Sequence, residues 1–397
     1  MVKLWIKKDM IKTLIILIVF KASIFGVDFN TFLNEALVKS AYLQFSSIAK
    51  QQAKEEQSKI LRYANPKLGF ASSRFNPINS KSDNGYSVSV MQPIRLWDVS
   101  DDKKSLSDAK IANIVAQTFF IKADFIRNLS FLFIQYAKDR DLARLSKEEQ
   151  TIAKKIFDIS NERFKNGTIS RGKMLQAKIA YEVVLTKNIV LSLQENRSYF
   201  ELLKYSGLNE QIDIDTNHIF KVINKRDSAN PNILTLKTEQ KVSLASAELA
   251  SNKIETFSIT AEFEEEIDQD IYRVGISVPL PIFNSKNEER AVAKLESQKK
   301  ELLVENEEKR VSLSKSYLKK ERTLLKELQN RNIAMIVDEE RLLSMFEEAY
   351  KIASVNLIEL QDIKNRVIET KKSFIENKTA LNKNAIEQNY LQGAYNE

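Results

Sequence analysis

No glycine or proline occurs between residues 94 and 166, and none occurs across the 111 positions from 282 to 392. Inside a helix Pro costs about 3 kcal/mol and Gly about 1 kcal/mol relative to Ala. The 397 residues hold only 8 Gly and 6 Pro, set almost wholly at the edges of these blocks. Blocks so free of breakers, and so rich in Lys, Glu, Leu, Ala, Asn and Ser, predict very long helices. Seventy helical residues at 1.5 Å each extend roughly 100 Å, deeper than an ordinary globular core. Such helices are expected to lie side by side in a rod or tube. The apolar spacing agrees: Phe125, Leu129, Leu132 and Tyr136 step by four, three and four, and Leu328, Met335, Leu342 and Ala349 step by seven. Both runs read as coiled-coil seams with a polar remainder.

The chain also reads as one unit written twice. Pro93 returns as Pro281, 188 residues on. The turn Arg163-Phe164-Lys165-Asn166-Gly167 returns as Ala349-Tyr350-Lys351-Ile352-Ala353, and Tyr205-Ser206-Gly207 returns as Leu391-Gln392-Gly393, each at a spacing of 186. That period is far too long for a solenoid of small repeats and implies a duplicated multi-element half. The expected organisation is an export signal over 1–26, a first repeat over 27–208, a linking segment over 209–230 and a second repeat over 231–397.

Each half carries a pair of strand patterns between its helices. Over 256–264, Phe257, Ile259, Ala261 and Phe263 alternate with Ser258, Thr260, Glu262 and Glu264. Beyond an acidic stretch, Tyr272, Val274, Ile276 and Val278 alternate with Arg273, Gly275 and Ser277. The first half has a weaker copy over 67–75 and 84–92, where Tyr86, Val88 and Val90 alternate with Ser87 and Ser89. Period-two alternation marks strands with one apolar and one polar face, and about 9–11 residues suffice to cross a bilayer at a tilt. An open sheet edge in lipid costs several kcal/mol per unpaired backbone group. Four strands cannot close on themselves, whereas three copies would form a closed barrel of twelve. The alternative is a periplasmic coiled-coil structural or adaptor protein, with two soluble hairpins packed on a helical rod and no barrel.

At the N-terminus, Lys7, Lys8 and Lys12 precede an apolar run from Leu14 to Phe20. A basic segment ahead of a short apolar one reads as a secretory signal, because a spanning helix needs about 20 apolar residues. Translation could begin at Met1 or Met10. Loss of 1–26 removes five Lys and one Asp, lowering the net charge from +8 to +4, so the basic balance is in part an export feature and argues for no nucleic-acid partner. Without cysteine the chain has neither disulfides nor an acylated N-terminal Cys.

Pro279-Leu280-Pro281-Ile282-Phe283 behind the Gly275 strand, Asn65-Pro66 ahead of the first strand, and the Arg163–Gly167 turn followed by Leu175-Gln176-Ala177 resemble the TolC family of outer-membrane efflux channels. The resemblance runs in order and in duplicate over about residues 28–393. It implies a mainly α chain with a membrane β-barrel part: a homotrimer whose twelve-stranded barrel sits in outer-membrane lipid of a Gram-negative bacterium and continues as a periplasmic tube of long coiled-coil helices, an α-barrel. It further implies a periplasmic adaptor (membrane fusion) protein and an inner-membrane pump of RND or ABC type as partners. The role implied is passive export of small molecules or metal ions, as the exit duct of a tripartite efflux or type I secretion system.

By the same resemblance, Asn166, Gly167 and Thr168 and then Ile352, Ala353 and Ser354 correspond to the two helix-hairpin tips that meet the adaptor. Ala353 stands where the family usually has glycine, so the second tip is expected to be tighter in its demands or differently shaped. Glu359 and Asp362 match the acidic positions lining the closed periplasmic constriction. Three apart on a helix, they share a face, and rings of carboxylates bias a pore toward cations. Read without the resemblance, the same two residues make a solvated face beside Lys364 and Arg366. The first half has Lys173 at the matching place.

No enzyme, cofactor or metal centre is expected. His218, the single histidine, lies in the polar 209–230 stretch and reads as a surface residue, and the six methionines are scattered. A Ser/His/Asp constellation would have to use that one histidine, and no glycine-rich phosphate loop occurs.

Overall fold

A computed structural model of the protein describes residues 26–76, 82–208, 212–223, 229–266 and 268–395. Among these residues there are seven helices and four strands: α1 (Phe29–Lys39), α2 (Ala41–Leu61), β1 (Lys67–Phe75), β2 (Asp83–Arg95), α3 (Trp97–Lys165), α4 (Arg171–Ser206), α5 (Pro231–Leu249), β3 (Thr256–Glu265), β4 (Asp270–Ser277), α6 (Asn287–Lys351) and α7 (Leu357–Leu391). The expected mainly helical chain with four strands is what the structure contains. α3 and α6 run unbroken for 69 and 65 residues. The proposed signal lies outside the described residues except for Gly26, as do 209–211 and 224–228 of the linking segment. No described helix is long and apolar enough to cross a membrane.

Side chains set the helix starts. Asp28 accepts from the Asn30 amide at 3.2 Å, Ser170 from the Lys173 amide at 3.4 Å, and Asn230 from the Asn232 amide at 3.0 Å. Asn230 is followed by Pro231 in the first turn of α5, where a missing N–H costs nothing. α4 ends at Gly207, whose left-handed backbone at φ +74° closes the run.

The chain divides into two compact units, and α3 and α6 contribute to both. In the first (described residues within 1–43, 122–228 and 312–397), Phe29, Phe32 and Ala36 of α1 are buried against Phe125, Leu129 and Phe133 of α3. Ile214 and Phe220 of the linking segment and Ala385 and Ile386 of α7 complete this cluster. Each such aromatic or aliphatic side chain contributes about 1.5–3 kcal/mol by leaving water. Val27 and Ile214 form a parallel bridge, with Val27 N–H donating to Asp213 at 2.7 Å. The described part of the linking segment is therefore built into a core. His218 belongs to it: the ring sits 4.9 Å from Phe29 and 4.7 Å from Phe220 and is half-buried, which corrects the surface reading. Burial holds its imidazole below its ordinary range, against the opposing pull of Asp28 and Asp215.

Phe125, Leu129 and Tyr136 of the first seam are buried and Leu132 partly so, whereas the second seam is covered within the chain only in part, as at Leu342. Leu328 and Met335 are exposed, and α6 turns Asn332, Leu343 and Tyr350 inward. A seven-residue period identifies a helix face without saying whether that face meets the same chain.

The second unit (44–121 and 229–311) holds one antiparallel sheet in the order β1-β2-β3-β4. It also holds α2, α5 and the adjoining ends of α3 and α6. Polar pairs tie its helices together, among them Gln57 to Asp108 at 2.9 Å and Asn232 to Glu307 at 2.9 Å. Arg95, at the end of β2, donates to the carbonyls of Ile60, Leu61 and Arg62, satisfying the last turn of α2.

Candidate functional site

The sheet register sorts its residues into two faces. Leu68, Val90, Ala261 and Val274 lie in one cross-strand row and Phe70, Val88, Phe263 and Tyr272 in the next on the same side. This side is bare in the single chain, with Phe70 74% and Val274 82% exposed. The opposite side carries Ser87, Ser89, Thr260, Glu262, Glu264 and Arg273. There Arg273 pairs with Glu264 and lies 3.6 Å from Glu262. Among the described residues, β1 and β4 each keep one unpaired edge. An apolar face this broad is costly in water, and an open edge is costly in lipid.

In the first unit, two helix hairpins end in matching turns. Gly167 N–H donates to Phe164 and Thr168 N–H to Arg163; at the second, Ala353 N–H donates to Tyr350 and Ser354 N–H to Ala349. Both are Schellman closures. Gly167 has φ +69° and Ala353 φ +64°, so the alanine keeps the glycine-type shape and the second tip is not reshaped. It does so at the left-handed cost of about 1–2 kcal/mol for a residue with a Cβ. Asn166, Gly167, Thr168, Ile352, Ala353 and Ser354 leave the tips largely open to solvent.

A clamp joins the tips. Tyr350 is buried, with its hydroxyl 2.9 Å from Ser160 Oγ. Arg163 donates to the Tyr350 carbonyl at 2.8 Å while its guanidinium lies over the Tyr350 ring at 4.6 Å.

Glu359 and Asp362 are exposed on one face of α7. Glu359 closes a capping box: its carboxylate accepts from Asn356 N–H at 3.0 Å, and its own N–H donates to Asn356 Oδ1 at 3.0 Å. Asp362 pairs with Arg366 at 2.9 Å one turn on. The face therefore carries two acids and one base. Lys364 is not beside them: it points into the core, 3.1 Å from Glu149, and both side chains are 8% exposed.

That buried pair begins a ladder that sequence reading missed. Glu149 of α3 holds Lys364 of α7 and, at 2.8 Å, Lys187 of α4. Lys371 pairs with Glu148 and, at 2.6 Å, with Glu340, and Lys378 pairs with Asp141 at 2.9 Å. Lys364, Lys371 and Lys378 are spaced by seven, a signal visible in the sequence. Their partners on α3, Glu149, Glu148 and Asp141, lie more than 200 residues upstream and were not visible.

Among the described residues, no group of three or more His, Cys, Asp or Glu side chains could hold a metal ion.

No protein-family model and no curated protein matches the sequence. Solved structures do match in fold. The Campylobacter jejuni CmeC outer membrane channel aligns at a TM-score of 0.74 and 16% identity, over 92% of this chain and 85% of that one. The outer membrane protein VceC of Vibrio cholerae aligns at 0.76 and 11%, over 92% and 95%. The Neisseria gonorrhoeae MtrE outer membrane channel, in its open state, aligns at 0.69 and 13%, over 91% and 88%. The chain has the fold of these TolC-like channels across nearly its whole length.

Proposed function

We propose that the chain is one third of a passive outer-membrane exit duct of a tripartite efflux or secretion system. The observation that carries this reading is the four-stranded sheet, with one apolar face exposed and both outer edges unpaired. Three copies would close twelve strands, putting the apolar rows in lipid and Ser87, Thr260 and Glu262 in a water-filled lumen. Exposed apolar lines on the helices favour the same assembly: Ile179, Val183, Val190 and Leu193 on α4, and Leu324, Leu328 and Met335 on α6. A periplasmic rod without a barrel would leave the sheet's apolar face in water.

In this reading the hairpin tips meet a periplasmic adaptor that bridges to an inner-membrane pump. Glu359 and Asp362 face the axis and form two carboxylate rings at the periplasmic mouth. Arg366 would temper the lower ring, leaving Glu359 as the stronger cation contact.

The test is conductance in a planar bilayer. The parent channel should be cation-selective and blocked by multivalent cations from the periplasmic side. Glu359→Gln with Asp362→Asn should remove most of that block. Gln at the third helical position keeps the capping hydrogen bond, so any loss reports charge rather than fraying. Full block in the double variant would place the constriction elsewhere, and absence of any channel would sink the duct itself.

A further inference from the structure

We infer that a basic pocket at the helical end of the sheet binds an organic anion with an apolar body, reached from the polar side of the sheet. The pocket lies between the ends of α2 and β2, the first turns of α3 and the end of α5, with a volume of about 720 Å³. That is within the roughly 300–1,000 Å³ of small-molecule sites.

Its charge is one-sided. Lys59, Arg62, Arg95, Lys103 and Lys110 line it, against the single carboxylate of Glu56. Two of these cations are engaged: Lys103 lies 3.2 Å from Glu255, and Arg95 donates to the carbonyls at the end of α2. Lys59, Arg62 and Lys110 form no ion pair among the described residues. Between them lies apolar surface from Ile60, Leu106 and Leu249, with the Tyr63 ring 5.3 Å from the Arg95 guanidinium. Unpaired cations around an apolar floor suit a ligand with one anionic end and a greasy or aromatic body. A metal cation or a neutral solute gains little there.

The strand alternation gives the pocket its side. Pro93 and Arg95 of β2 line it, and Gln92 and Ile94 do not. Odd-numbered residues of β2 point with Ser87 and Ser89 to the polar side, and Thr256, opposite Arg95, lines the pocket as well. The pocket therefore opens on the side away from the apolar rows. The inference rests on the duct reading in one respect: it takes that polar side as the lumen, so the bound anion is cargo in transit rather than a lipid headgroup.

The test uses the full chain in nanodiscs of zwitterionic phospholipid, with 2-naphthalenesulfonate as probe and the neutral 2-naphthalenesulfonamide as control. The sulfonate should bind saturably, more weakly as salt rises, and better than the sulfonamide. The triple variant Lys59→Gln, Arg62→Gln, Lys110→Gln, which touches only exposed unpaired side chains, should bind roughly tenfold more weakly. Equal binding of sulfonate and sulfonamide by the parent, or unchanged affinity in the variant, would overturn the site. Anionic phospholipid added to the nanodisc should not compete; competition would put the pocket on the lipid side. Conductance of the parent channel is independent of all these readings, so a failed site and a failed duct are told apart.

Discussion

Replacing Glu149 with Gln should destabilise the protein far more than replacing its buried partner Lys364 with Met. Glu149 and Lys364 are each 8% exposed and 3.1 Å apart, and the other Glu149 oxygen holds the more exposed Lys187 at 2.8 Å. Gln leaves the Lys364 ammonium buried without a counter-charge, which costs about 3–5 kcal/mol. Lys364→Met leaves the carboxylate paired with Lys187 and fills the slot with an apolar chain of similar length, at about 1 kcal/mol or less. With an unfolding entropy of about 2.1 cal/mol/K per residue, these costs shift a cooperative melt of a chain this long by about 4–6 °C and about 1 °C respectively. The assay is heat denaturation of detergent-solubilised protein by circular dichroism at one fixed scan rate. The pH dependence adds a second reading. Burial pushes the Glu149 carboxyl up, but the Lys187 hydrogen bond and the Lys364 charge outweigh it and hold it below its ordinary range. An acid depressed in the folded state contributes stability above its unfolded value and loses it as pH falls through the folded one. The gap between parent and Glu149→Gln should thus be full at neutral pH and close below about pH 4. Equal melting shifts for the two variants, or a gap that persists in acid, would refute the pairing as the tie between these helices.

Four further substitutions follow from the turns and the sheet. Ala353→Gly should stabilise the fold by about 0.5–1 kcal/mol, read as a slightly higher melting midpoint, because relief of left-handed strain exceeds the added chain entropy. Gly167→Val should destabilise the fold by about 1–2 kcal/mol and weaken adaptor capture while leaving the assembly intact, since no atom lies within 4 Å of an added Cβ. Val274→Arg, on the exposed apolar face, should cost about 2–4 kcal/mol per copy at mid-membrane and deplete the protein from the outer-membrane fraction. Thr260→Arg, on the polar face opposite Gly275, should be recovered there normally.

The long helices were legible because their signal is local: a block without Gly or Pro needs no partner to declare itself. The alternation in Tyr272, Val274 and Ile276 was legible for the same reason, and so were the paired turns at Gly167 and Ala353. What could not be read was which helix answers which. Lys364 read as part of a solvated face because its counter-charge, Glu149, is 215 residues away. His218 read as a surface residue because the rings of Phe29 and Phe133 reach it only through the fold. The period of Leu328 and Met335 was correct, yet these two side chains stay exposed in the single chain while Leu342 on the same line is partly buried. The difference expected at the second tip did not appear in the backbone, since the Schellman pattern tolerates Ala353 at φ +64°, and the Arg163–Tyr350 clamp joins residues too far apart in sequence to be read as a motif.

The central claim is that this sheet is completed only by other copies of the chain, and native mass spectrometry of the protein released from outer-membrane detergent extracts tests it most directly. The expected result is a complex of three chains, each of about 41–43 kDa once the signal is lost at about 110 Da per residue, with no stable single-chain species. A monomer that stays folded in detergent with its four strands protected, or a protein recovered only from the soluble periplasm, would contradict it.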